Sequence, residues 1–193
     1  MRSTDMPESG ARARTRRAIL DAAATALARD RAATLADIAT AADVGRSTLQ
    51  RYFADREELL DAVVADSLRA VGRATAEAEL DQGPPLEAMR RLATAMVDVG
   101  DRVLFLYGDP RVLERAREIT GGDSPEVTRL IERGQAAGVF DPDTSATWIE
   151  HVLWALVYAG CDAAGRGTLP RHAAANTVIR TFENGVRHPE EGS

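Results

Sequence analysis

Lysine is absent from this chain of 193 residues, and all 24 basic side chains are arginine. An all-arginine complement reflects coding bias before chemistry and names no partner by itself, although a well-placed arginine grips phosphate with two nitrogens. Cysteine occurs once, at Cys161, which excludes an internal disulfide and fits a reducing compartment. Aromatic residues make up only 5% of the chain. Runs of β-branched residues are short, and no segment alternates with a period of two, so no sheet is expected. No apolar run approaches the roughly 20 residues that span a bilayer. The opening MRSTDMPESGARARTRR lacks the apolar core of a secretory signal. With disulfide scaffolds, membrane spans and all-β folds set aside, the expectation is a soluble cytoplasmic protein without a membrane partner.

Ala, Leu, Arg and Glu prevail, and these are strong helix formers, so an all-α fold is expected. RTRRAILDAAATALARD spaces Ile19, Ala22, Ala23, Ala26 and Leu27 as one helical face. Thr34 reads as an N-cap with Asp37 as the acidic member of a capping box, opening LADIATAAD. Leu35, Ile38, Ala39 and Ala42 face inward there. Asp43 and Gly45 break that helix before RSTLQRYF, and Asp55 caps a long fourth helix reaching about Leu80, with Glu57 and Glu58 at its positive end. DQGPP at 81–85 is the clearest breaker. Six further helical segments follow, among them the long, mostly apolar TSATWIEHVLWALVYAGCDAAG and the closing LPRHAAANTVIRTFENGV.

Catalysis finds no support. There is no glycine-rich phosphate loop and no clustered Cys/His spacing, and His151, His172 and His188 form no Glu-x-x-His pair of the kind that builds metal sites in bundles. No catalytic residue, metal site or cofactor is expected. Charge is unevenly spread: residues 1–53 hold nine Arg against six Asp and Glu, a net +3, whereas residues 54–193 hold fifteen against twenty-four, a net −9. A basic head on an acidic body is the asymmetry expected when one end meets a polyanion.

The stretch ADVGRSTLQRYFADREEL concentrates that head's chemistry. Arg46, Gln50 and Arg51 are too polar for a buried helix, while Tyr52 and Phe53 would serve no purpose on a merely solvated one. Two short helices joined by a tight turn make a helix-turn-helix, in which side chains near the start of the second helix read the major groove. By position these are Arg46, Ser47, Thr48, Gln50 and Arg51, with Leu49 and Phe53 on the inner face. An ordinary solvated helix face is the competing reading. Arg12, Arg14, Arg16 and Arg17 could reach the DNA backbone or serve as a solubilising tail.

TLADIATAADVGRSTLQRYFADREELL resembles the N-terminal signature of the TetR family of transcriptional regulators, over about Thr15 to Leu60. The resemblance implies an N-terminal three-helix DNA-binding domain at 12–55 and a helical effector-binding and dimerisation domain at 56–187, between tails at 1–11 and 188–193. It implies a homodimer that binds a near-palindromic operator in double-stranded DNA, acts as a repressor and is released by a small-molecule effector. It adds Thr34, Tyr52 and Arg56 to the DNA-contacting residues. Asp43, Gly45 and Gln50 depart from the usual pattern, and Gln50 replaces a common Tyr with an amide able to read an adenine edge. The rival function is a ligand-binding bundle that works through protein partners without reading an operator.

For the effector, Met89, Met96, Phe105, Tyr107, Trp148 and His151 are the candidates, because aromatics and methionines with occasional polar tips line many small-molecule pockets. Trp154 and Tyr158 of the long apolar helix are offered on the same ground. The same side chains also fill ordinary cores. The helices at about Thr144–Gly165 and Arg171–Val186 are the expected dimer surface, by analogy with the family.

Overall fold

A computed structural model describes residues 10–122 and 124–186. They form ten helices: α1 (Gly10–Arg29), α2 (Leu35–Ala41), α3 (Arg46–Tyr52), α4 (Arg56–Glu77), α5 (Pro85–Asp98), α6 (Gly100–Gly108), α7 (Pro110–Thr120), α8 (Pro125–Ala136), α9 (Ala146–Gly165) and α10 (Arg171–Val186). No β-strand occurs among the described residues. Of the expected tails, residues 1–9 and 188–193 lie outside the described residues. Gly10 and Ala11, expected in the tail, already belong to the first turn of α1.

The chain divides into two compact units, Met1–Asp66 and Ser67–Ser193. In the first, Ile19, Leu20, Ala23, Ala24 and Leu27 of α1 are buried together with Ile38 and Ala39 of α2 and Leu49 of α3. Ala22, Ala26, Leu35 and Ala42, expected inside, are only partly covered. The capping box forms as anticipated. The Asp37 amide donates to the Thr34 hydroxyl at 3.2 Å, and the Thr34 amide and hydroxyl donate to Asp37 Oδ2 at 2.8 and 2.7 Å. Those two donors hold the Asp37 carboxyl below the usual carboxylate range.

Asp43 adopts a left-handed backbone, φ 53°, that ends α2. Gly45 then opens α3 from an extended conformation. At the start of α4 the Glu58 amide donates to Asp55 Oδ1 at 2.9 Å, while the Glu58 carboxylate accepts from the Ala54 amide at 2.7 Å. Such reciprocal bonds satisfy amides that the first helical turn leaves without partners.

In the second unit, α9 contributes a buried stripe of Ile149, Leu153, Val157 and Cys161, spaced by four residues as one helical face requires. Cys161 is the one thiol of the chain and is buried. Against that stripe pack Ala174, Val178 and Phe182 of α10, Leu92 and Met96 of α5, and Leu130 and Ile131 of α8. Phe140 meets Phe182 edge to face at 6.0 Å between ring centres. Across α5 and α10, Arg90 Nε donates to Glu183 at 2.6 Å.

Candidate functional site

Two sites emerge, one in each unit. In the first, α3 turns Leu49 into the core and leaves Arg46, Ser47, Gln50 and Arg51 exposed, with Thr48 and Tyr52 half-buried. Exposure on the same short helix gives these groups access to a groove. Behind them, Arg12 lies over the Tyr52 ring at 5.7 Å and Arg16 over the Phe53 ring at 5.5 Å. These cation–π contacts fix the start of α1 against the end of α3.

Two other residues of the expected DNA-contacting set are already engaged. The Thr34 hydroxyl is committed to the capping box. Arg56 turns its guanidinium inward, donating from Nη1 to the Ala33 carbonyl and from Nη2 to the Arg31 carbonyl at 2.8 Å. That tie joins the start of α4 to the α1–α2 loop.

In the second unit, α4, α6, α7, α8 and α9 surround a cavity of about 1100 Å³. Ligand pockets run from roughly 300 to 1,000 Å³, so the space is ample for one small molecule. Its wall includes Leu68, Val71, Gly72 and Thr75 from α4, Tyr107 from α6, Leu113 and Arg117 from α7, Leu130 and Arg133 from α8, and Glu150, His151 and Trp154 from α9. Tyr107 and Trp154 stack at 5.5 Å between ring centres with 16° between their planes. Trp154 Nε1 donates to Glu150 Oε1 at 3.2 Å and the Thr128 hydroxyl to Oε2 at 3.1 Å, which sets the carboxylate in a fixed orientation. Burial pushes the Tyr107 phenol up to about 12, with Glu150 adding to the shift and Arg117 opposing it, so it stays neutral at physiological pH.

Residues 19–63 match the family model for bacterial regulatory proteins of the tetR family. Over 182 residues the chain is 39% identical to the HTH-type transcriptional repressor LfrR of Mycolicibacterium smegmatis, covering 93% of this chain and 94% of that protein. The chain belongs to the TetR family. Another relative, the HTH-type transcriptional regulator NfxB of Pseudomonas aeruginosa, is 27% identical over 89% of this chain and 94% of its own. The solved structure of LfrR in complex with proflavine aligns with a TM-score of 0.73 at 37% identity, over 91% of this chain and 98% of that one. As a TetR-family member with this architecture, the chain is a ligand-responsive, DNA-binding regulator of transcription.

Of the six effector candidates, the structure places two on the wall of this cavity. Tyr107 and His151 line it. Met89 and Met96 do not, because both point from α5 into the packed core, and Phe105 is likewise buried away from the space. Trp148 is 61% exposed and faces outward. Trp154, offered beside Trp148 on the same helix, lines the cavity as well, whereas Glu150 and the α4 face were not anticipated. One signal for Glu150 was present: Glu150 and Trp154 stand four apart on a mostly apolar helix, where a carboxylate needs a donor beside it.

Proposed function

We propose that the chain is a cytoplasmic repressor that binds a near-palindromic operator as a homodimer and releases it when a flat aromatic molecule fills the cavity. The observation that carries this reading is the Tyr107–Trp154 stack beside an oriented Glu150 carboxylate. Stacked rings offer flat faces to an aromatic guest, and a carboxylate favours an amine or cation on it. LfrR, whose solved complex holds proflavine, supports a guest of that kind here.

In the head, Arg46 and Gln50 are assigned to base edges, since guanidinium and amide groups make paired bonds to guanine and adenine. Ser47, Thr48, Arg51 and Tyr52 are assigned to phosphates and flanking contacts, which supply salt-dependent affinity. Thr34 and Arg56 contribute by shaping the loop and helix start. Two such heads would occupy half-sites about 34 Å apart, one helical turn. The outer face of α9 carries exposed Thr147, Trp148, Ala155 and Ala159, and we assign α9 with α10 to the dimer contact. Release needs only a coupling of about 1–3 kcal/mol between cavity and operator.

The test is selection from a random duplex library at near-physiological salt, followed by proflavine titration of the selected complex. A palindrome with half-sites one helical turn apart, released by proflavine, is expected. A folded dimer that enriches no sequence would overturn the repressor reading, and a complex indifferent to proflavine would overturn the assigned effector class.

A further inference from the structure

The turn that follows α4 is held by side chains from two other helices. Five consecutive carbonyls, Ala78 to Gln82, each accept a hydrogen bond from an arginine. Arg91 of α5 donates from Nε to Ala78 and from Nη2 to Glu79 and Gln82, all at 2.8 Å. Arg133 of α8 donates from Nη1 to Asp81 at 2.7 Å and from Nη2 to Leu80 at 2.8 Å. The turn lies just past the negative pole of α4, where cations are favoured.

The two arginines are not equivalent. Arg133 lines the cavity together with Leu80 and Asp81, the residues it holds, whereas Arg91 does not. Arg133 is also incompletely satisfied, because its Nε–H is buried with no hydrogen-bond partner. An unpaired buried donor is unfavourable, so an acceptor on a guest in the cavity would be favoured beside it. The turn itself is strained: Glu79 sits at φ 47°, a left-handed conformation that a residue with a side chain enters at a cost.

Beside Arg133, the end of α8 is closely packed on the turn that follows it: a Cβ on Gly134 would stand 2.2 Å from the Cδ2 of Phe140, and the Gly134 carbonyl accepts from the Val139 amide at 2.9 Å.

We propose that Arg133 is the positioning residue through which an occupied cavity acts on α4. Without effector it pins the carbonyls of Leu80 and Asp81. A guest beside it displaces the guanidinium, the two bonds break, and the end of α4 is released from α8. Because α4 runs unbroken from Arg56 to Glu77, a change at its end reaches the helix that leads into the DNA-binding unit. This inference rests on reading the cavity as the effector site.

The experiment compares full-length wild type, R133M and R133K on the selected operator, with proflavine binding followed by its own fluorescence. Folded, dimeric R133M is expected to bind operator at least about tenfold more weakly than wild type without any effector, a coupling of allosteric size. It is expected still to bind proflavine, yet to show no further release. Amide exchange at residues 78–82 should be faster than in wild type and unchanged by proflavine. R133K keeps the charge and can reach one carbonyl, so it should recover part of the affinity, and it carries the test should R133M fail to fold. Variants that hold operator as tightly as wild type and release it with proflavine as wild type does overturn the proposal. Wild type that reads no operator sinks the repressor reading and this inference with it, an outcome distinct from normal wild type beside a silent R133M.

Discussion

Gly160 of α9 and Val178 of α10 stand closer than two residues with side chains could: a Cβ on Gly160 would lie 2.4 Å from Val178 Cγ2. Glycine inside a helix ordinarily costs about 1 kcal/mol relative to alanine, so contact must outweigh propensity here. Gly160→Ala is expected to destabilise the protein by about 1–3 kcal/mol, the range for overpacking a core. Gly72, within α4, has nothing within 4 Å of the place a Cβ would take, so an added methyl would enter open space. Gly72→Ala should therefore stabilise by about 0.5–1 kcal/mol. Urea denaturation of both variants checks the opposite signs.

The stack at the cavity predicts a separation of functions. Trp154→Ala removes one face of the pair and the donor to Glu150, and Glu150→Gln removes the charge while keeping the shape. Both should weaken proflavine binding, Trp154→Ala by about tenfold or more if the ring contributes at the usual scale of buried aromatics. Operator affinity without proflavine should be unchanged in Glu150→Gln. Fluorescence titration beside gel-shift assays reads the two quantities independently.

Arg56 and the exposed arginines of α3 should behave differently. Arg56 donates to two loop carbonyls, so Arg56→Met should cost about 1–3 kcal/mol of stability through the lost charge-assisted bonds. Its operator binding should keep the wild-type salt dependence. Arg51→Ala should leave stability alone and lower the salt slope by about one, as loss of a phosphate contact does. Gln50→Ala should relax preference at one base pair by about 1–3 kcal/mol. An Arg56→Met protein of full stability with a reduced slope would return Arg56 to the phosphate-contacting set.

Stability should fall at high pH. Burial pushes the Cys161 thiol up to about 11, with Asp101 adding to the shift and Arg171 opposing it, and the Tyr107 phenol rises to about 12. Each group binds its proton more tightly folded than unfolded. Nothing is lost below the unfolded values near 9 for cysteine and 10 for tyrosine, and stability drops as pH climbs from there toward the folded values. Thermal midpoints at pH 8, 9.5 and 11, with Cys161→Ala flattening the first part of the decline, would check this.

The helices and their ends were legible because local chemistry writes them. Thr34 with Asp37, Asp55 before Glu58, and Asp43 at a left-handed turn all act within a few residues of themselves. The cavity was not legible in the same way. Helical periodicity says that Met89, Met96 and Tyr107 point inward, but not whether they meet packed side chains or open space. Trp148 and Trp154 are six residues apart, about 120° around a helix, so one can face the cavity only if the other looks elsewhere. Which of them does depends on where α6 lies, a long-range fact. Arg56 and Arg133 escaped for a related reason, since their acceptors are backbone carbonyls distant in sequence, Ala33 and Asp81 among them.

The burial of Cys161 has a practical consequence. A lone thiol sealed in the core, with its ionisation suppressed at neutral pH, reacts slowly with maleimides and methanethiosulfonates. Any cysteine introduced on the surface of the chain would be the one that takes a label. Spin or fluorophore labels can therefore be placed on α3 or on α4 in the native background, and their signals followed during titration without first engineering a thiol-less protein.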